Sequence, residues 1–216
     1  MSVPALAQPE AEVMQMSEQH WDAIYATTDH TDLAWYEPVP STLALVTAHS
    51  TPDDSVIDVG GVSGTLAIAL AQRGYRDLTV LDISERGLDA SRAALWQHTD
   101  VVTWIHADVT AFVPTRQWRL WHDRAVFHFL TDARDRDAYR SAASAAVEPG
   151  GTLVVATFAP DGPEHCAGLP VRRYDVAALA AQFAPEFDVV DGRRLTPPSS
   201  LGDQRPYVGA VLRRAG

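Results

Sequence analysis

The sequence predicts an α/β fold, a three-layer doubly wound sandwich in which helices cover both faces of a mostly parallel sheet. Two observations support this prediction. Short apolar runs alternate along the chain with segments of helical periodicity, which is the pattern of strands joined by crossover helices. The chain has 216 residues, of which 46% are hydrophobic, and no change of composition divides it. This is enough for one well-buried core, so we expect a single domain.

The predicted elements follow one another in a regular order. The strands share a short apolar run and are predicted at 55–59, 78–83, 101–108, 119–127, 152–159, near 187–191 and at 207–214. The helices share a repeat of apolar positions three or four residues apart and are predicted at 64–74, 84–98, 132–147 and about 175–184. We expect residues 1–16 to be disordered.

Capping and helix-breaking residues set the predicted helix boundaries. Gly74 closes the first of these helices, and Ser84 is the expected N-cap of the second. The helix at 132–147 carries aspartates in its first turn, where the helix dipole favours negative charge. It stops before "EPGG" because Pro149 forces Glu148 into an extended conformation.

The charge of the chain narrows the range of partners. With 17 basic and 28 acidic residues, the formal net charge is −11, which repels nucleic acid backbones and anionic lipid. All the basic residues are arginine, because the sequence contains neither lysine nor asparagine. A Schiff-base lysine, a phosphate-loop lysine and an N-glycosylation site are therefore excluded. We expect a small-molecule partner and no nucleic acid or membrane.

The remaining compositional signals point to a cytoplasmic protein without a metal site. The opening segment has acidic residues and no long apolar run, so we expect neither a signal peptide nor a transit peptide. No stretch approaches the roughly 20 apolar residues of a membrane span. The lone Cys166 can form neither an internal disulfide nor a CxxC metal site.

Four consecutive predicted strands end in an aspartate. Because ligands of such sheets bind outside the carboxyl ends of the strands, these side chains mark a candidate site. They are Asp58, Asp82, Asp108 and Asp123. Each one alone is also the residue expected in a solvated turn.

An adenosine with a charged tail would give these residues a common task. Glycines at 60, 61 and 64 allow the backbone to approach a ligand closely. Asp82 follows Gly60 by 22 residues, the spacing at which a carboxylate reaches a ribose diol. Asp108 would then accept a hydrogen bond from the adenine amine, with Ile83 packed on the base.

Motifs in residues 55–158 resemble those of class I S-adenosylmethionine-dependent methyltransferases. In order they are "IDVGGVSG", "LTVLDIS", "HADVT", "LWHDRAVFHFL" and "VEPGGTLVVATF". More narrowly, "HDRAVFHFL", "DRDAY" and "GLPVRRYD" resemble the thiopurine methyltransferase-like branch. The segment "WDAIY" is also similar to the opening of protein-lysine methyltransferases.

The resemblance carries expectations about fold and cofactor. It implies a seven-stranded sheet whose last strand, "YVGAVLRR", is antiparallel, in a methyltransferase domain over 17–216. It implies S-adenosyl-L-methionine as cofactor and S-adenosyl-L-homocysteine as product. An N-terminal helical lid at about 17–50 would bring Trp21, Tyr25 and Trp35 to the cofactor, and Val109 would join Asp108 there.

One residue departs from the family pattern. The pattern DxGxGxG aligns with Asp58, Gly60, Val62 and Gly64, so the middle glycine is a valine. A Cβ at this position could crowd the cofactor or prohibit a positive φ. Gly61 beside it is the residue expected to take over the close approach.

The expected catalytic residues lie at the end of the fourth predicted strand. Methyl transfer from a sulfonium mainly requires alignment and exclusion of water, together with removal of the acceptor's proton. We expect Asp123, Arg124 and His128 to serve these tasks, whereas His122 should point to the opposite strand face from Asp123. The Gly/Pro-rich loop 160–174 is the expected wall of the acceptor site.

These residues favour methyl transfer to a small soft nucleophile: a thiol, a heterocyclic thiol, a metalloid or a halide. Protein-lysine methylation remains an alternative, because the acidic chain would accept a lysine side chain. A nicotinamide-binding oxidoreductase, or a cofactor-binding protein without catalysis, is the third hypothesis. The missing lysine counts against the oxidoreductase, since no catalytic Tyr/Lys pair can form.

Overall fold

The computed structural model describes residues 8–62, 65–95, 99–197 and 205–216. Its α-helices are α1 (Gln8–Thr27), α2 (Leu43–Ala48), α3 (Thr65–Ala71), α4 (Glu85–Ala94), α5 (Ala133–Ala146) and α6 (Val176–Ala180). Its strands are β1 (Val56–Val59), β2 (Leu78–Asp82), β3 (Val102–His106), β4 (Trp118–Arg124), β5 (Val147–Phe158), β6 (His165–Cys166), β7 (Leu169–Pro170), β8 (Phe187–Leu195) and β9 (Tyr207–Arg214). Short 3₁₀ helices lie at His30–Asp32, Thr99–Val101 and Phe127–Phe129.

Seven strands form one sheet in the order β3-β2-β1-β4-β5-β9-β8. The first five are parallel, and β9 runs antiparallel between β5 and β8. The predicted seven-stranded sheet with an antiparallel "YVGAVLRR" strand is therefore confirmed. The chain reverses its direction across the sheet between β1 and β4, which is the position where α/β sheets open a ligand crevice.

The two faces of the sheet carry separate apolar cores. Ile57 and Val59 of β1 pack in one core, together with Trp121 of β4. Val56 packs in the other core with Leu120. Because successive side chains of a strand point to opposite faces, Asp58 shares the face of Val56, and His122 shares that of Leu120. Asp123 lies on the opposite face.

Several element boundaries differ from the predicted ones. Strand β4 ends at Arg124 rather than 127, because Ala125 adopts a positive φ of 71° and the chain turns into a 3₁₀ helix. Strand β5 begins at Val147, so "EPGG" lies within the strand instead of preceding it. Helix α1 begins at Gln8 and thus includes residues 8–16 of the segment predicted to be disordered. Residues 1–7 lie outside the described part of the chain.

Candidate active site

Two adjacent glycines form the turn that leaves β1 at the crevice. Gly60 has a φ of +69°, and a Cβ there would come 2.2 Å from Cγ2 of Val126. A Cβ on Gly61 would come 2.6 Å from Oδ2 of Asp58. Neither position can hold a larger residue without a shift of its neighbours. The third predicted glycine, Gly64, lies outside the described residues, so its cofactor role stays a prediction.

Val62 fits into this loop because its neighbour is a glycine. The Val62 side chain is buried against Gly87 in the first turn of α4, where an added Cβ would come 2.8 Å from Val62 Cγ2. The same Cβ would come 3.1 Å from Cδ2 of Tyr25. A glycine inside a predicted helix is unusual and marks Gly87 in the sequence, but it does not indicate that Val62 is the residue it meets.

Asp82 ends β2 with its carboxylate buried beside the loop. Its Oδ1 accepts a hydrogen bond of 2.9 Å from the Ser84 amide, and only 7% of the residue is exposed. Burial raises the pKa of Asp82 to about 7, and nearby Asp58 acts in the same direction, while backbone amides such as those of Ser84 and Val62 oppose them. Asp82 therefore places a carboxyl with a pKa of about 7 at the end of β2.

The residues predicted for the adenine differ in their placement. Oδ1 of Asp108 accepts hydrogen bonds of 2.8 Å and 2.7 Å from the amide and hydroxyl of Thr110, which closes a turn after β3. Ile83 is half-buried next to Asp82, and its carbonyl contacts His106 Nε2 at 2.9 Å. Val109 is buried in the apolar core that also holds Ile57. Asp108 and Ile83 stay at the sheet edge, whereas Val109 serves the core.

A chain of three buried polar side chains crosses the crevice between β1 and β4. Asp58 Oδ1 lies 2.7 Å from His122 Nδ1, and His122 Nε2 lies 2.8 Å from the hydroxyl of Thr42. The parallel register sets Asp58 directly beside His122. Strand alternation predicts that His122 points away from Asp123, to the face that Asp58 occupies. His122 was nevertheless not among the predicted catalytic residues. Thr42, 80 residues away, left no signal.

A cleft opens over Asp58, His122 and Thr42, and we call it the loop cleft. It encloses about 320 Å³, including open solvent at its mouth. Its lining combines the glycine loop, the polar chain and the end of β4, and consists of Pro40, Thr42, Asp58, Gly60, Gly61, Val62, Thr65, Leu66, His122 and Arg124.

Asp123 is not brought to the loop cleft. It is 0% exposed, and its carboxylate accepts hydrogen bonds from the amides of Val126 (2.8 Å) and Phe127 (3.0 Å). The hydroxyl of Tyr139 donates a third, at 2.6 Å. Burial raises the pKa of Asp123 to about 6, although these hydrogen bonds act in the opposite direction. The predicted catalytic and cofactor-binding residue therefore holds the turn after β4, because strand alternation directs it to the opposite face.

His128 does not line the loop cleft either. It is 0% exposed, and its ring lies 4.8 Å from that of Phe158 and 4.5 Å from that of Phe129. Among the described residues, neither ring nitrogen has a hydrogen-bond partner. Burial and the charge of Arg124 lower the pKa of His128 to about 3. The ring is thus neutral and packed among aromatic side chains, which does not suit the predicted role of proton acceptor.

Arg124, the third predicted catalytic residue, does reach the crevice. Its guanidinium donates a hydrogen bond of 3.0 Å to the carbonyl of Trp35 and lies 3.4 Å from Oε1 of Glu37. The other carboxylate oxygen of Glu37 accepts a hydrogen bond of 2.6 Å from the Ser41 amide. Glu37 lies in the segment between α1 and α2. Glu37 could not be predicted from the sequence, because that segment carries no periodic pattern.

A second cleft adjoins the first at Arg124, and we call it the aromatic cleft. It encloses about 240 Å³, including open solvent. Its lining is formed by Ala34, Trp35, Tyr36, Glu37, Arg124, Pro197, Arg205 and Tyr207. Its charged groups are the guanidinium groups of Arg124 and Arg205 and the carboxylate of Glu37. Loop 160–174, the expected acceptor wall, contributes none of the described lining residues and instead forms the β6–β7 hairpin.

Helix α1 lies across the carboxyl edge of the sheet. The Ser84 hydroxyl donates a hydrogen bond of 2.6 Å to Asp22, and His20 Nε2 lies 3.0 Å from the carbonyl of Ala167. The Trp21 ring lies 6.1 Å from that of Trp35 and 6.5 Å from that of Tyr25. The three aromatic residues expected near the cofactor therefore meet at this edge. Within the described ranges, no helix is both long and apolar enough to span a membrane.

Comparisons with known proteins agree with this architecture. Residues 56–151 match the family model described as a methyltransferase domain. A search of curated proteins finds no significant match. Among the residues that the structure describes, no group of three or more His, Cys, Asp or Glu side chains is placed to hold a metal ion.

Solved structures resemble the chain over nearly its full length. A 1,6-didemethyltoxoflavin-N1-methyltransferase from Burkholderia thailandensis has a TM-score of 0.76 at 19% identity, covering 100% of this chain and 94% of that one. The N-methyltransferase NodS from Bradyrhizobium japonicum has a TM-score of 0.70 at 16% identity, covering 93% and 99%. Both were solved with S-adenosylhomocysteine. At such identities the likeness shows the fold. Together with the matched domain, it shows that the chain has a class I methyltransferase fold with a methyltransferase domain over residues 56–151.

Proposed function

We propose that the protein transfers a methyl group from S-adenosylmethionine, bound in the loop cleft, to a small soft nucleophile bound in the aromatic cleft. One observation carries the proposal: Arg124 lines both clefts. In-line displacement needs the nucleophile in direct contact with the methyl group, in a site that excludes water. The donor and acceptor sites must therefore adjoin. A thiol or a heterocyclic thiol is the acceptor that we favour, ahead of a metalloid or a halide.

The loop cleft has the features that the methyl donor needs. Gly60 and Gly61 bring backbone close to a ligand, and Asp58 offers a carboxylate to the amino group of the methionine part. Asp82 follows at the end of β2, where it would accept hydrogen bonds from the ribose diol. Ile83, Asp108 and the aromatic residues of the N-terminal segment would enclose the adenine.

The aromatic cleft suits a planar acceptor. Trp35, Tyr36 and Tyr207 supply polarizable ring surface, which favours sulfur and other soft atoms. The guanidinium groups of Arg124 and Arg205 also line this cleft, and such groups donate hydrogen bonds to an anionic acceptor.

Structural neighbours support a small acceptor that contains nitrogen or sulfur. The Burkholderia thailandensis enzyme was solved with 1,6-didemethyltoxoflavin bound. Another neighbour, with a TM-score of 0.75 at 17% identity, converts a disulfide bond into a thioacetal group during echinomycin biosynthesis. It covers 92% of each chain. Membership of the thiopurine methyltransferase-like branch remains a further part of this proposal, on the motifs "HDRAVFHFL" and "GLPVRRYD".

A release assay for S-adenosylhomocysteine tests the proposal directly. The protein is incubated with S-adenosylmethionine and, in turn, thiophenol, 2-mercaptopyridine, selenide, iodide, phenol and a lysine-containing peptide. We expect turnover with the thiols and none with the peptide. A second assay adds the protein and tritiated S-adenosylmethionine to a cell lysate. Label on protein rather than on small molecules would favour protein-lysine methylation. Calorimetry that shows tighter binding of NAD than of S-adenosylhomocysteine would exclude methyl transfer.

A further inference from the structure

We propose that Glu37 is the catalytic base that removes the proton of the acceptor during methyl transfer. The assignment rests on the proposed function, because it treats the aromatic cleft as the acceptor site. It replaces Asp123 and His128, which the structure buries away from both cleft linings.

The Glu37 carboxylate is held in place by one oxygen and faces the shared boundary with the other. Its Oε2 accepts a short hydrogen bond of 2.6 Å from the Ser41 amide, which fixes the orientation of the group. Its Oε1 lies 3.4 Å from the Arg124 guanidinium, longer than a good hydrogen bond between charged partners. That oxygen therefore retains acceptor capacity. The residue is only 3% exposed, so bulk water has little access to it.

The other groups of the aromatic cleft cannot take a proton. Arg124 and Arg205 carry guanidinium groups, which are permanently charged donors. The phenols of Tyr36 and Tyr207 act as donors at neutral pH. Burial, moreover, raises the pKa of Tyr207 well above its usual value. Among the described lining residues, Glu37 is thus the one group able to serve as a base.

The step balances without any further reactant. A lone pair of the acceptor atom forms a bond to the methyl carbon, the bond between carbon and sulfur breaks, and its electron pair stays on the sulfur as a neutral thioether. The proton of the acceptor passes to Oε1 of Glu37 and is released to water after the products leave. Arg124 stays charged throughout and keeps its contact with the Trp35 carbonyl.

This role predicts that dependence on Glu37 grows as the acceptor becomes less acidic. An acceptor that is already ionised at the assay pH brings no proton and needs no base. A neutral acceptor needs one, and a positioned base contributes about 10²–10⁴-fold to the rate. A residue that only shaped the cleft would affect both kinds of acceptor equally.

The experiment compares the whole protein with its Glu37→Gln and Glu37→Asp variants on 4-nitrothiophenol, thiophenol, 4-methoxythiophenol and phenol. For Glu37→Gln we expect kcat to fall at least about 100-fold with the least acidic acceptor and less than about threefold with 4-nitrothiophenol, which is ionised at neutral pH. Glu37→Asp should restore part of the loss. Glu186→Gln, the same change at an exposed glutamate, is the matched control.

Two readouts separate a base from a structural residue. Calorimetry should give the same affinity of each variant for S-adenosylhomocysteine. We expect kcat of the wild type to decline at low pH, and this decline should vanish in Glu37→Gln. An equal loss with all acceptors, or no loss with any, would overturn the assignment of Glu37 alone. If the wild type binds S-adenosylhomocysteine but methylates none of the probes, the proposed function is overturned, and the assignment of Glu37 as the base falls with it.

Discussion

The side chain of Val62 packs against Gly87, with no room for a methyl group between them: a Cβ on Gly87 would come 2.8 Å from Val62 Cγ2 and 2.9 Å from Cγ1. The valine that interrupts the glycine pattern of the loop is thus accommodated by a second glycine in the first turn of α4. The two positions, 25 residues apart in sequence, act as one packing unit. Gly61 beside Val62 keeps the close approach to Asp58.

We expect Gly87→Ala to destabilise the protein and weaken its affinity for S-adenosylhomocysteine. Overpacking of a tight contact costs about 1–3 kcal/mol, whereas the helix propensity of alanine alone would stabilise α4 by about 1 kcal/mol. Urea unfolding measures the first effect and calorimetry the second. Val62→Gly in the same chain should relieve the clash, so a double variant no more stable than Gly87→Ala would contradict the pairing.

His122→Ala should lower the free energy of unfolding by about 1.5–3 kcal/mol, since Asp58 loses a hydrogen bond in a buried site and Thr42 loses its partner. Chemical denaturation at neutral pH measures the change. His165→Ala removes an exposed histidine and should alter stability by less than about 0.5 kcal/mol. Equal stability of the two variants would show that the polar chain across the crevice contributes nothing.

Asp82 should make the protein less stable as the pH rises from about 4 to about 7. Its carboxyl has a pKa of about 7 in the folded chain against an ordinary value of 3.8 for an aspartate, so the folded state holds a proton that the unfolded state has released. Stability falls in this window by at most about 1.4 kcal/mol per pH unit. The stability of Asp82→Asn relative to the wild type should therefore increase across the window. A pH-independent difference in thermal or urea unfolding would refute the shift.

Asp82→Ala should also abolish binding of the methyl donor. Above a pH of about 7, where the carboxyl is ionised, one or two hydrogen bonds from the ribose hydroxyls would be lost, each worth about 1.5–3 kcal/mol. Titration with S-adenosylhomocysteine in a calorimeter gives the affinity. Asp161→Asn is the control, because Asp161 is exposed and its carboxylate pairs with Arg194. Unchanged affinity of Asp82→Ala would contradict the ribose assignment.

Arg124→Ala should stop turnover while the affinity for S-adenosylhomocysteine changes little. The substitution also leaves the buried Glu37 carboxylate without its guanidinium, and breaking a buried pair costs about 3–5 kcal/mol. The double variant Arg124→Ala, Glu37→Gln should recover most of that stability without recovering turnover. Normal turnover of Arg124→Ala on any thiol acceptor would remove this residue from the boundary between the clefts.

The sequence predicts the sheet well because the alternation of apolar runs and helical periods is a local signal. It also predicts Asp58, Asp82 and the glycines at the carboxyl edge, since each lies at or directly after the end of a strand. Asp123 follows the same rule and yet faces the core. Its case shows that strand alternation outweighs proximity to the strand end.

The remaining features depend on contacts between distant parts of the chain. His128 lies four residues after Arg124, which is a helical spacing, but the positive φ of Ala125 prevents a helix between them. Thr42 and Glu37 reach the site from the N-terminal segment through packing that no local pattern encodes. The accommodation of Val62 by Gly87 likewise requires knowledge of where α4 lies relative to the loop.

A guanidinium that lines two adjoining clefts offers a route by which their ligands affect each other. If an acceptor that contacts Arg124 alters the affinity for the methyl donor by some factor, thermodynamic linkage requires the donor to alter the affinity for the acceptor by the same factor. The two binding equilibria would then be coupled through one side chain.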